Sequence, residues 1–199
     1  MSIRLCSLGL IATAAVFVGC ENQPSQPVSP SALAHAQPAS VGGPSQLAAK
    51  GGSQHVVTLF DACDPETFDA ALGPGTCTRA GGVTFAMFLE QLGRHGSVGA
   101  WHFAPSNVTM RVGQALGATN RGGETHTFTE VEEFGGGIVP QLNDLMGLTS
   151  VAPECTQLKG SDFLAPGASS SEEEEEEGVE KYQCCIHPWM RAQVRITEK

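Results

Sequence analysis

Hydrophobic and polar positions along the chain fall into three regimes. Leu5 to Val18 is a nearly unbroken apolar run, diluted only by Cys6, Ser7, Gly9 and Thr13, and too short to span a bilayer comfortably. Residues 21–53 then offer almost no large apolar side chain and cannot bury enough surface to order themselves. Regular periodicity begins at residue 54. Val56-Val57-Thr58-Leu59-Phe60 reads as a strand. Asp64-Pro65-Glu66 opens a helix, with Asp as N-cap and Pro at the first helical position, and Gly73-Pro74-Gly75 ends it. Thr84 caps a second helix with Phe85, Phe88, Leu89 and Leu92 on one face, closed by Gly93 and Gly96. From Ala100 onward the period shortens to two. Val108, Met110 and Val112 alternate with polar residues, Gly113 turns the chain, and Leu116 and Ala118 continue the pattern to Asn120. After the turn Arg121-Gly122-Gly123, His126, Phe128 and Glu130 share one strand face, and Thr125, Thr127 and Thr129 the other. Pro153 to Pro166 is irregular around an apolar Phe163-Leu164. Ala192, Val194 and Ile196 alternate near the C-terminus. This succession of short alternating strands predicts an all-β fold, an antiparallel β-sandwich.

The same pattern sets the expected domains: a signal peptide at 1–20, a tether at 21–53, an accessory helical segment at 54–98 and the sandwich at 99–199. Two helices as short as those of the accessory segment are marginal alone. Cys63 and Cys77 bracket the first, and a disulfide closing that loop of about 15 residues would contribute roughly 3 kcal/mol. Arg4 supplies the positive start of a signal peptide. Its end, Phe17-Val18-Gly19-Cys20, resembles a bacterial lipobox. That resemblance implies lipidation at Cys20 and a protein anchored through lipid to a membrane of the bacterial cell envelope, on its periplasmic or extracytoplasmic face.

Charge narrows the function further. The net charge is −10, much of it from the run Glu172 to Glu177. An acidic protein is unsuited to nucleic acid, whose phosphates need a basic surface, and suits a basic partner surface instead. The glutamates repel one another and read as a solvated segment, an exposed edge strand or a bulged loop. No nucleophile–base pair or carboxylate dyad stands out, so no enzyme is expected.

The chemistry concentrates in Cys184-Cys185-Ile186-His187-Pro188-Trp189-Met190, which places thiolate, imidazole and thioether donors within seven residues. Soft sulfur with imidazole is a donor set that suits copper. A second histidine must come from another strand, and His126 is the natural candidate.

These residues carry a resemblance to the cupredoxins, and within them to the amicyanin-like and plastocyanin-like proteins. Asn120 and His126 match the family's Asn, five residues, His. Cys184, His187 and Met190 match the Cys-x-x-His-x-x-Met of the amicyanin type, with Pro188 after the histidine and Trp189 at an aromatic position. The segment from Phe103 to Gly113 looks like the family's opening strands. The resemblance covers about half the chain. It implies a Greek-key sandwich holding one type 1 copper, with His126, Cys184 and His187 as strong ligands and Met190 as the axial one. Asn120, Thr127 and Trp189 would support them. In the family an exposed ligand histidine at an apolar patch passes the electrons, a role that would fall to His187 with Pro188 and Trp189.

Two departures touch the thiolate's surroundings: Thr127 stands where the family often has Asn, and Cys185 where it often has Thr or Ser. Adjacent strand residues face opposite ways, and the family spacing selects Cys184 as ligand. A second disulfide, Cys155–Cys185, would then complete the pairing of an exported protein's thiols. The implied function is single-electron transfer with a redox partner such as a c-type cytochrome or an oxidoreductase. Copper delivery without fast redox, and a metal-free binding module on the same fold, are the alternatives.

Overall fold

Strand β1 (Gln54–Phe60) is a member of the sandwich and not of a separate accessory piece. In the computed structural model it lies between β2 (His102–Ala104) and β4 (Ala115–Asn120). The structure describes residues 54–174 and 176–198. The expected signal peptide with Cys20 and the expected tether at 21–53 lie outside the described residues, as does Glu175. Among the described residues no helix is long and apolar enough to cross a membrane.

Two four-stranded sheets form the body. The first has the order β2-β1-β4-β8, with β8 at Ser169–Glu173. The second has the order β3-β10-β9-β6, built from Asn107–Arg111, Arg191–Thr197, Gly178–Gln183 and Thr129–Val131. A two-stranded ribbon pairs β5 (His126–Thr127) with β7 (Phe163–Leu164). The all-β sandwich expected from the sequence therefore forms, with mixed sheets: β1 runs parallel to β4 and β3 parallel to β10, while the other pairs are antiparallel.

Alternation along the strands builds the core. Val57, Leu59, Leu116 and Ala118 of the first sheet, and Val108, Met110, Tyr182, Ala192, Val194 and Ile196 of the second, are buried in one cluster. Each large aliphatic side chain so buried contributes about 1.5–3 kcal/mol. The sequence boundary at residue 98 would remove β1, a central strand, from this arrangement.

Helix α1 (Pro65–Leu72) begins as its cap predicts, the Asp64 carboxylate accepting the Thr67 N–H. Helix α2 (Phe85–His95) is capped by Thr84 and ends at Gly96 in the left-handed conformation. The disulfide Cys63–Cys77 spans α1. Phe88 and Leu92 of α2 join the main core with Phe68 and Trp101, and Phe88 meets Trp101 edge to face at 4.9 Å.

Between β6 and β7 the chain is more ordered than its sequence suggested. It forms helix α3 (Pro140–Met146) and two short 3-10 turns, Pro153–Thr156 and Gly160–Asp162. The glutamate run divides: Glu172 and Glu173 lie on the exposed edge strand β8, and Glu174 turns inward beside Tyr182.

Candidate metal centre

Three elements converge at one end of the sandwich. β5 carries His126, and the turn between β9 and β10 carries Cys184 and His187. The third element is the end of β1. The pairing of β1 with β4, Leu59 opposite Asn120, sets Asp61 against the loop that leads from Asn120 to His126.

Cys184 is the one free cysteine among the described residues and is fully buried. Its Sγ lies 3.8 Å from His126 Nδ1 and 3.8 Å from His187 Nδ1. One donor atom from each of the three residues falls within 4.8 Å of the others, so the three could hold a metal ion. The backbone N–H groups of Thr127 and His187 both point at the sulfur, at 3.4 Å, and favour its thiolate. The turn is closed by its own backbone: Met190 N–H donates to the His187 carbonyl at 2.9 Å, and Cys184 N–H to the Met190 carbonyl at 3.0 Å. Met190 is buried in the same core as Cys184. A thiolate and two imidazoles, with a buried thioether in the same loop, make a donor set suited to copper.

Asn120, Thr127 and Trp189 all lie beside the triad. Asn120 accepts the Gly122 N–H through Oδ1 and donates through Nδ2 to the Glu124 and Leu164 carbonyls, at 2.7 and 2.8 Å. It thereby ties the His126 loop to β7. Thr127 Oγ1 accepts the Cys185 N–H at 2.8 Å. The threonine side chain, with its own N–H on the sulfur, thus joins the His126 strand to the cysteine turn. The Trp189 ring stands edge-on to His187 at 5.4 Å. Cys155–Cys185 is a disulfide, so the second cysteine of the vicinal pair faces away from the histidines.

Four neighbours of the triad had no motif to announce them: Asp61, Glu124, Phe88 and Trp101. Asp61 Oδ2 is 2.9 Å from His126 Nε2, with both side chains buried. Glu124 Oε2 is 3.6 Å from His187 Nε2 and accepts the Trp101 indole N–H at 2.6 Å. Both imidazoles therefore turn Nδ1 toward the sulfur and Nε2 toward a carboxyl group, an orientation that favours metal binding through Nδ1. Glu124, two residues before His126, could have been flagged as a flanking acid. Asp61 lies 65 residues away and left no local signal.

The electrostatics follow from this packing. Burial pushes the Cys184 thiol up, but the hydrogen bonds and charges of His126 and His187 outweigh it and hold the thiol well below its ordinary range. Burial disfavours the His126 imidazolium, yet Asp61 and the Cys184 thiolate raise it to about 9. Asp61 is lowered, the cost of burial being outweighed by His126 and by the N–H groups of Glu124 and Gly123. Glu124 is raised, mainly by burial.

One expectation is corrected. His187 is only 4% exposed and reaches solvent only as part of a cavity wall. Phe88 of α2 and Trp101 lie over it with ring centroids at 6.4 and 6.5 Å, and Pro188 is buried as well. The accessory helices cover the end of the sandwich that carries the site. What opens to solvent beside His187 is a cavity of about 730 Å³, lined by Leu72, Phe85, Leu89, Leu142, Leu145 and Ile186 among others.

Neither a protein-family model nor a curated protein matches the chain. Among solved structures, the chain is similar to a purple cupredoxin from Nitrosopumilus maritimus, with 27% identity over 50% of this chain and 86% of that one, at a TM-score of 0.37. It is also similar to a reduced mutant amicyanin, at 22% identity over 46% of this chain and 70% of that one, TM-score 0.31. A second reduced amicyanin mutant shares 18% identity over 51% and 78%, TM-score 0.34.

Proposed function

We propose that this protein is a type 1 copper protein that carries single electrons between redox partners of the bacterial envelope. The observation that carries the reading is the buried triad of His126, Cys184 and His187, with both imidazole Nδ1 atoms turned to a sulfur that accepts two backbone N–H groups. Bound copper would supply the one-electron couple. The chain's part is to present the donors in a fixed array, so that little rearrangement accompanies a change of oxidation state. Met190 is the proposed axial donor. The proposed partner is a c-type cytochrome or an oxidoreductase, and the proposed membrane attachment is lipid on Cys20.

A second reading, copper holding or delivery without fast electron exchange, is favoured by one observation, the cover over His187. A visible absorption spectrum separates them. Purified protein given one equivalent of Cu(II) should develop an intense thiolate-to-copper band, lost in Cys184→Ser and kept in Cys185→Ala. Bound copper without the band would favour delivery. No retained copper would refute both readings.

A further inference from the structure

The Asp61 carboxylate is buried, 1% exposed at the side chain, and His126 is its only ion-pair partner among the described residues. Burying a carboxylate is costly unless its oxygens are hydrogen-bonded and its charge has a partner. The hydrogen bonds are supplied in full. Oδ1 accepts the N–H of Gly123 at 2.9 Å and of Cys63 at 3.2 Å. Oδ2 accepts the N–H of Glu124 at 3.0 Å and faces His126 Nε2 at 2.9 Å. The fit is close, since a Cβ at Gly122 would overlap Oδ2. Three backbone N–H donors on one buried carboxylate, with an imidazole nitrogen facing it, suit an anion, and among the described residues its charge is met only through the His126 ring.

Resting on the copper reading above, we propose that Asp61 is the positioning residue of the centre, fixing His126 with Nδ1 toward the Cys184 sulfur and lending its negative charge to favour the oxidised over the reduced metal. A dication with one thiolate carries a net charge of +1 from those two groups alone. The carboxylate behind His126 brings the assembly to zero, and one-electron reduction then leaves a buried net negative charge. Asp61 therefore opposes reduction. The proposal also assigns a task to the chain between β1 and α1: the Cys63 N–H holds Asp61, and Gly123 packs against the sulfur of Cys63, which the Cys63–Cys77 disulfide anchors.

The test is Asp61→Asn in the full chain loaded with copper, read by reduction potential and by separate Cu(II) and Cu(I) competition titrations. The thiolate-to-copper band should persist. Cu(II) affinity should fall by about 10–100-fold, the usual range for losing a ligand's outer partner, Cu(I) affinity should fall less, and the potential should rise. An unchanged potential and affinity ratio in a copper-loaded variant would overturn the proposal. Should the variant fail to fold, proton NMR of the unaltered metal-free protein decides. The His126 Nε2–H resonance should be far downfield and slow to exchange with water, and fast exchange would overturn the assignment. If the unaltered protein forms no band with copper, the copper reading fails by itself, and the NMR result still judges Asp61.

Discussion

Removing the Cys155–Cys185 disulfide by the double substitution Cys155→Ala, Cys185→Ala should separate the scaffold of the centre from its ligands. The bridge joins residues 30 apart in sequence. In the chain-entropy treatment, closing a loop of that size contributes about 4 kcal/mol at 25 °C, a large share of the roughly 5–15 kcal/mol that holds a typical domain folded. It sits beside Cys184, the proposed sulfur ligand, yet the backbone of residue 185 has other anchors. Its N–H bonds Thr127 Oγ1 at 2.8 Å, and its carbonyl accepts the Ile138 N–H at 2.7 Å. The expectation is thus a large loss of stability with the site retained. Urea unfolding of the metal-free variant should show its midpoint lowered by roughly 2 M at an unchanged slope of about 2 kcal/mol/M. Below the transition, the copper form should keep its thiolate-to-copper band. A midpoint shift under about 0.5 M would refute the entropy argument. Loss of the band in the folded variant would refute the assignment of Cys184 as the sulfur ligand.

Three further outcomes follow from the packing and the charges. Thr127→Val keeps the shape but leaves the buried Cys185 N–H without its acceptor, so stability should fall by about 1–3 kcal/mol and copper should dissociate faster, by stopped-flow chelation; an unchanged dissociation rate would count against the Thr127 link. Phe88→Ala removes a ring over His187 and should destabilise the fold by about 3–5 kcal/mol while speeding reduction of the copper by small reagents; unchanged reduction kinetics would show that α2 does not limit access. The Glu174 carboxyl is raised to about 7, first by burial and then by Glu180 and Glu172. Its neutral form is favoured in the folded state, so the contribution is complete below the unfolded value near 4.5 and is lost as pH rises through about 7. Hydrogen exchange in Ser169–Gln183, corrected for intrinsic rates, should be better protected at pH 5 than at pH 8.

Residues whose partners are near in sequence were legible, and those whose partners are distant were less so. Asp64-Pro65 and Thr84 announced both helices because a cap is a local hydrogen bond. The alternation of Val108 and Met110, and of Ala192, Val194 and Ile196, announced strands because burial repeats every second residue. Helix α3 is weakly marked: Pro140 at its first position and Gly147 after its end are usual signs, but its N-cap Val139 offers no side-chain oxygen. The grouping of His126, Cys184 and His187 was legible through the resemblance. Asp61 was not, because nothing near residue 61 tells that β1 pairs in parallel with β4 and delivers a carboxylate to a histidine 65 residues on. The cover over His187 was missed for the same reason. An amphipathic α2 states that it packs, but not on what.

The parallel pairing of β3 with β10, and of β1 with β4, bears on when the centre can exist. His126 is 65 residues from the acid that holds it and 58 from the sulfur it faces. Cys184 comes late in the chain, in the turn between β9 and β10, and β10 is held by β3, some 80 residues earlier. Contacts so distant close late, after the chain has paid the entropy of long loops. A nascent or truncated chain lacking β10 would hold donors scattered on unpaired strands, and a metal offered to it would find a loose thiol in place of an array. Metal uptake at this site would then be a read-out of finished folding, with β10, the strand that closes the turn of Cys184 and His187, acting as the latch.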